Sequence, residues 1–145
     1  MPPNGRPADD GRRVGRVPAG VFPCTLTDVR DSFGHAIDGL WHLIRTQRNF
    51  RIHLALAVLV ALLATLLRFT AQEWAVLALT VALVLALEGL NTGIEIAVTL
   101  ASPERRPEAK AAKDIAAGMV LLAALAALIV GALLFTPHLQ ALLSQ

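Results

Sequence analysis

From Ile115 to Phe135 the chain runs about 21 residues without a charged side chain, the length an α-helix needs to cross the hydrocarbon of a bilayer. Two more apolar blocks precede it. Ile52 to Leu67 has about 16 residues and one polar aromatic, His53; Phe50 and Phe69 extend it to a workable span, and Arg51 and Arg68 can snorkel at its ends. Trp74 to Ala101 covers roughly 28 residues, or about 42 Å of helix, so its last turns must leave the hydrocarbon or tilt strongly. A chain of 145 residues that is 55% hydrophobic yet only 5% aromatic is not an ordinary soluble domain. The pattern predicts an all-α integral membrane protein with three transmembrane helices. Pro137 is placed to close the third. The small residues Ala116, Ala117, Gly118, Ala123, Ala124, Ala126 and Ala127 allow close helix contact there.

Residues 1 to 27 are rich in Arg, Pro, Gly and Asp and contain no apolar core of the length a signal peptide requires, so they read as a disordered tail. Cys24 is the one cysteine, which excludes an intramolecular disulfide, and it has no Cys or His neighbours to form a metal site. It receives no role. Arg6, Arg12, Arg13, Arg16, Arg30, Arg45, Arg48 and Arg51 precede the first span, and Arg105, Arg106, Lys110 and Lys113 lie between the second and third. Excess Lys and Arg marks cytoplasmic segments, so the N-terminus and the second connection are expected inside and the C-terminus outside. The same asymmetry accounts for the basic residues without a nucleic-acid partner. From Val29 to Phe50, the residues Phe33, Ile37, Leu40, Trp41, Ile44 and Gln47 recur at helical spacing, with Asp31, Asp38, His42, Arg45 and Arg48 mostly elsewhere around the wheel. This predicts an amphipathic helix lying on the cytoplasmic interface. It serves as an anchor for the first span, or as an anchor whose polar face also contributes to a site. The expected layout is a surface helix at about 29–49 and spans at about 51–69, 73–101 and 112–136.

The polar end of the second span carries the chemistry. In Glu88-Gly-Leu-Asn-Thr-Gly-Ile-Glu95, a turn of 100° per residue puts Asn91, Thr92, Glu95 and Thr99 within roughly 60° of Glu88. Carboxylates near lipid face a bundle interior or a wet cavity and mark function. An interhelical hydrogen-bond seam would need only Asn91 or Thr92. Two carboxylates on one stripe repel unless a proton, cation or ligand intervenes. Magnesium takes one or two carboxylates together with nucleotide phosphates, and Arg105, Arg106, Lys110 and Lys113 stand nearby as topology determinants or phosphate partners. Lys113-Asp114 falls at the start of the third span, facing the polar end of the second across a short connection. Residue chemistry thus reaches a site for an anion plus a metal at a membrane surface and names no reaction.

Glu88-Gly-Leu-Asn-Thr-Gly-Ile-Glu95 followed by Ala112-Lys113-Asp114-Ile-Ala-Ala-Gly118 resembles the prokaryotic diacylglycerol kinase family, whose Gram-positive branch comprises undecaprenol kinases. The resemblance covers about residues 30 to 136, including Arg48-Asn-Phe-Arg-Ile-His53, and makes residues 28–145 a membrane lipid kinase domain. It implies a homotrimeric bundle in the bacterial inner membrane, with sites shared between neighbouring subunits, that transfers the γ-phosphoryl group of magnesium ATP to a lipid hydroxyl. Position by position it makes Glu88 the general base and has Asn91 orient the reacting groups. Glu95 then holds Mg2+, Lys113 contacts the transferring phosphates, and Asp114 helps bind the nucleotide.

Two departures stand out. Gln47 occupies the place of a glutamate that assists Glu95 with the metal; an amide oxygen can ligate magnesium but brings no charge. Either Gln47 ligates weakly, or another acid such as Asp38 substitutes, or metal affinity is lower. Gly89 and Gly93 replace bulkier residues, which implies close helix approach at both. Asn-Phe-Arg-Ile-His and Lys-Asp-Ile-Ala-Ala-Gly lie closer to the undecaprenol branch, which favours a prenol acceptor over diacylglycerol. From another class, a non-catalytic membrane oligomer or an ion or proton conduit could also place Glu88 and Glu95 on one face. A conduit predicts polar residues along the full span, and Trp74 to Leu87 offers little beyond Thr80.

Overall fold

The computed structural model describes residues 26–104 and 106–144; the N-terminal tail, with Cys24, and Arg105 lie outside the described residues. Four helices follow in order, α1 (Leu26–Thr46), α2 (Arg48–Leu66), α3 (Ala71–Ala101) and α4 (Pro107–Leu143), with no strand among the described residues. The last three are long and apolar enough to cross a membrane. Of 31 and 37 residues, α3 and α4 extend about 46 and 56 Å, well beyond the ~30 Å of bilayer hydrocarbon.

Burial is distributed as a lipid solvent dictates. Large apolar side chains such as Leu79, Leu83, Leu90, Leu121, Leu128 and Leu133 are exposed along the outside. The buried polar residues among those described are Glu88 and Thr92, each 3% exposed. Helix α3 packs most extensively on α4, less on α2. The small-residue stripe of α4 divides at that contact: Ala116 and Ala123 are buried and Ala124 and Ala127 half-buried, while Ala117, Gly118 and Ala126 face outward.

The turn between α2 and α3 is built residue by residue. Arg68 takes φ 56, the left-handed conformation that ends many helices, at a position where glycine is the usual choice. Its N–H donates to the Thr65 carbonyl at 3.2 Å and that of Phe69 to the Ala64 carbonyl at 3.1 Å, the pair of bonds of a Schellman motif. The apolar contact that accompanies this motif is Phe69 with Ala64, both within the buried cluster that also contains Leu77. Thr70 then caps α3: its hydroxyl accepts from Glu73 N–H at 3.3 Å while Glu73 Oε2 accepts from Thr70 N–H at 2.7 Å, a complete capping box. The other carboxylate oxygen of Glu73 lies 2.9 Å from His138 Nε2 on α4. Phe69 stacks on His138, with Phe135 also at 4.8 Å between ring centroids and Trp74 edge-on at 6.5 Å.

That cluster corrects one expectation. Pro137 does not close the third span; it lies inside α4, which continues to Leu143. Proline removes one backbone donor and disfavours the helix, but His138 just beyond it is held by Glu73 and Phe69, and Thr136 Oγ1 donates to the Ala132 carbonyl at 2.6 Å. The contacts of His138 with the α2–α3 turn hold the helix on course past the proline. Helix α4 also begins at Pro107, earlier than the expected 112, because proline suits the first helical position. At the other end, α1 and α2 are separated by Gln47 alone, which is extended at φ −99 and ψ 112.

Candidate active site

The site forms where the overlong part of α3 meets α1 and the start of α4. Glu88 is buried, and the Thr92 hydroxyl donates to its backbone carbonyl at 3.2 Å. A Cβ added to Gly89 would lie 3.3 Å from Leu43 Cδ1, so this glycine admits α1 against α3. Gly93 meets nothing within 4 Å, and the close approach expected there is absent within the chain. Gln47 follows Leu43 by one turn, its N–H donating to the Leu43 carbonyl at 2.9 Å. The last turn of α1, which leads into the junction with α2, therefore packs against α3 at Gly89.

One turn further along, Asn91 and Glu95 form a pair. Asn91 Nδ2 donates to Glu95 Oε1 at 3.5 Å, and because a carboxylate only accepts, the amide oxygen must turn the other way. Asn91 Oδ1 is consequently buried with no hydrogen-bond partner. An acceptor left in that condition costs about 1–3 kcal/mol unless a donor or cation arrives. Glu95 itself is exposed.

Beyond Glu95, the C-terminal end of α3 and the first turns of α4 enclose a cleft of about 570 Å³ lined by Thr99, Ser102, Glu104, Arg106, Lys110, Lys113 and Asp114. That volume suits a small-molecule ligand. Lys113 Nζ crosses from α4 to donate to Thr99 Oγ1 at 2.9 Å, so the expected approach of Lys113 to the polar end of α3 is found. With α4 starting at Pro107, however, Lys113 and Asp114 stand in its second turn and not at its start. Asp114 accepts from Lys110 Nζ at 2.7 Å, and Arg106 pairs with Glu104 at 3.4 Å. Residue spacing puts Thr99 on the stripe with Glu88 but gives it no partner; its contact with Lys113 depends on the turn between α3 and α4, which no helical wheel contains.

Among the described residues no group of three or more His, Cys, Asp or Glu side chains could hold a metal ion. Glu95 is the charged oxygen donor, with Asn91 beside it. This set fits magnesium, which commonly takes one or two protein carboxylates and completes its shell with water and substrate phosphates. It would not serve a metal that needs a complete protein cage.

The profile of prokaryotic diacylglycerol kinase matches residues 34–135, from α1 to near the end of α4. The chain belongs to the prokaryotic diacylglycerol kinase family. Within it, undecaprenol kinase of Bacillus subtilis (strain 168) is 43% identical over 108 residues, covering 74% of this chain and 88% of that protein. Diacylglycerol kinase of Synechocystis sp. (strain ATCC 27184 / PCC 6803 / Kazusa) is 50% identical over 113 residues, 77% of this chain and 65% of its own length. Family membership places the chain among lipid kinases, enzymes that take a phosphoryl group from a nucleotide. The matched region contains every site residue named above.

Proposed function

We propose that the protein transfers the γ-phosphoryl group of magnesium ATP to the hydroxyl of a membrane lipid, with undecaprenol favoured over diacylglycerol. The observation that carries this reading is one helix face bearing a buried carboxylate, Glu88, two turns from an exposed one, Glu95, which continues into the Lys113 cleft. In this reading Glu88 is the base that removes the lipid hydroxyl proton, and Asn91 orients the reacting groups. Its unpartnered Oδ1 is available to a donor or cation on the bound reactants. Glu95, with Gln47 as a neutral companion, would hold Mg2+, which supplies charge stabilisation to the phosphates when bound. Lys113 contacts the transferring phosphates and Asp114 helps bind the nucleotide once it exchanges Lys110 for the ligand.

The acceptor arrives from the bilayer. An apolar cleft of about 490 Å³ between α2, α3 and α4 reaches Val84 and Leu85, one turn before Glu88. The prenol preference rests on the motifs resembling the undecaprenol branch, Asn-Phe-Arg-Ile-His and Lys-Asp-Ile-Ala-Ala-Gly. In the same reading residues 28–145 form the kinase domain, α1 lies on the cytoplasmic face of the inner membrane with Phe33, Ile37, Leu40 and Trp41 outward, the C-terminus is outside, and three copies assemble. The deciding assay gives purified protein magnesium ATP with undecaprenol and diacylglycerol together. Phosphorylated undecaprenol in excess is the expected product; excess phosphatidic acid would reverse the acceptor assignment. No phosphorylated lipid, accompanied by a cation flux through reconstituted vesicles, would replace the kinase by a conduit.

A further inference from the structure

We infer that Thr99 is a positioning residue for phosphoryl transfer, whose hydroxyl aims the Lys113 ammonium into the cleft without cancelling its charge. The inference rests on the proposed function. Thr99 Oγ1 donates its one proton to the Glu95 carbonyl at 2.6 Å. With that proton committed, the oxygen has only lone pairs left to offer, and Lys113 Nζ approaches them at 2.9 Å. The direction of both bonds is therefore fixed by the chemistry of the groups. A lysine carries its charge on a flexible four-carbon stem, so an anchored acceptor decides where the ammonium rests.

The identity of the acceptor matters as much as its place. Lys110 is bound to Asp114 and Arg106 to Glu104, pairs in which a carboxylate offsets the cation. Lys113 is held by a neutral hydroxyl and uses one of its three donors there. Two donors and the full positive charge stay available to an anion in the cleft. The same hydroxyl is bonded to the backbone carbonyl of Glu95, so the Lys113 ammonium is tied to the turn of α3 that follows Glu95.

The test compares Thr99→Val, which keeps the branched shape and removes the oxygen, with Thr99→Ser, which restores it, under saturating lipid and varied magnesium ATP. Thr99→Val is expected to lower kcat/KM for magnesium ATP about 10-fold, a typical loss for one hydrogen bond to a charged group. KM for the lipid alcohol and the melting temperature stay unchanged, and Thr99→Ser recovers to within about twofold on the same reasoning. In a Lys113→Ala background Thr99→Val is expected to produce no additional loss, since its effect runs through Lys113. Full activity of Thr99→Val, a loss that multiplies with that of Lys113→Ala, or a loss that follows the melting temperature and is not rescued by serine would each overturn the inference. A wild-type protein without kinase activity would overturn the proposed function and this inference together, whereas an active wild type with an indifferent Thr99 removes only the latter.

Discussion

Truncating Phe69 to alanine separates the stability of the bundle from its chemistry. Phe69 is 7% exposed and lies against Phe135, His138 and Trp74. Removing a buried Phe from a soluble core costs about 3–5 kcal/mol. Within lipid or detergent the transfer part shrinks, because hydrocarbon surrounds the unfolded helices too, and packing is what remains. Aromatic pairs contribute about 0.5–1.5 kcal/mol each beyond area; with two rings at 4.8 Å and one at 6.5 Å, a loss of about 2–3 kcal/mol is expected. It is measured by denaturant titration in mixed micelles followed by circular dichroism. Phe135→Ala serves as the second arm of a double-mutant cycle, with a coupling of about 1 kcal/mol. Glu73 and Glu88 are about 22 Å apart along α3, so the specific activity of the folded fraction should not change. A loss below about 1 kcal/mol, or strict additivity with Phe135→Ala, would refute the view that this aromatic cluster ties α4 to the α2–α3 turn.

Arg68→Gly removes the strain of a left-handed non-glycine residue and is expected to stabilise by about 0.5–1 kcal/mol in the same titration. Glu73→Ala forfeits both the capping box and the His138 bond and should cost about 1–2 kcal/mol, while Glu73→Gln, which keeps an acceptor for Thr70, should cost less than half of that. Glu88→Gln is expected to lower kcat at least ~10²-fold with an unchanged melting curve, as the loss of a general base requires. Chelation of magnesium should abolish phosphorylation and its readdition restore it, read directly as labelled lipid.

The three spans are legible in sequence because each apolar run approaches or exceeds the length of a membrane crossing and is bounded by charge or proline, and composition alone carries that signal. The stripe from Glu88 to Thr99 is equally legible, since it depends only on the pitch of one helix. What escapes is whatever joins two helices. Pro137 reads as a stop on local grounds, and the helix passes through it because His138 finds Glu73 some 65 residues away. Gly89 and Gly93 look equivalent on the page of letters; only the approach of Leu43 separates them. The Schellman turn at Arg68 carries no glycine to announce it, because buried Ala64 and Phe69 hold the turn closed.

Helices α3 and α4 run antiparallel and are bonded to each other at two levels, Glu73 to His138 and Thr99 to Lys113. Along α3 the two levels are about 39 Å apart, and along α4 about 38 Å. The pair is a ladder with a rung at each end and rails of matching length. A slip of one helix past the other by a single turn, about 5.4 Å, would break both rungs at once, and loss of either leaves the other to hold the alignment. The depth at which Lys113 sits in its cleft is thus gauged from the far end of the helix pair as well as from the near one.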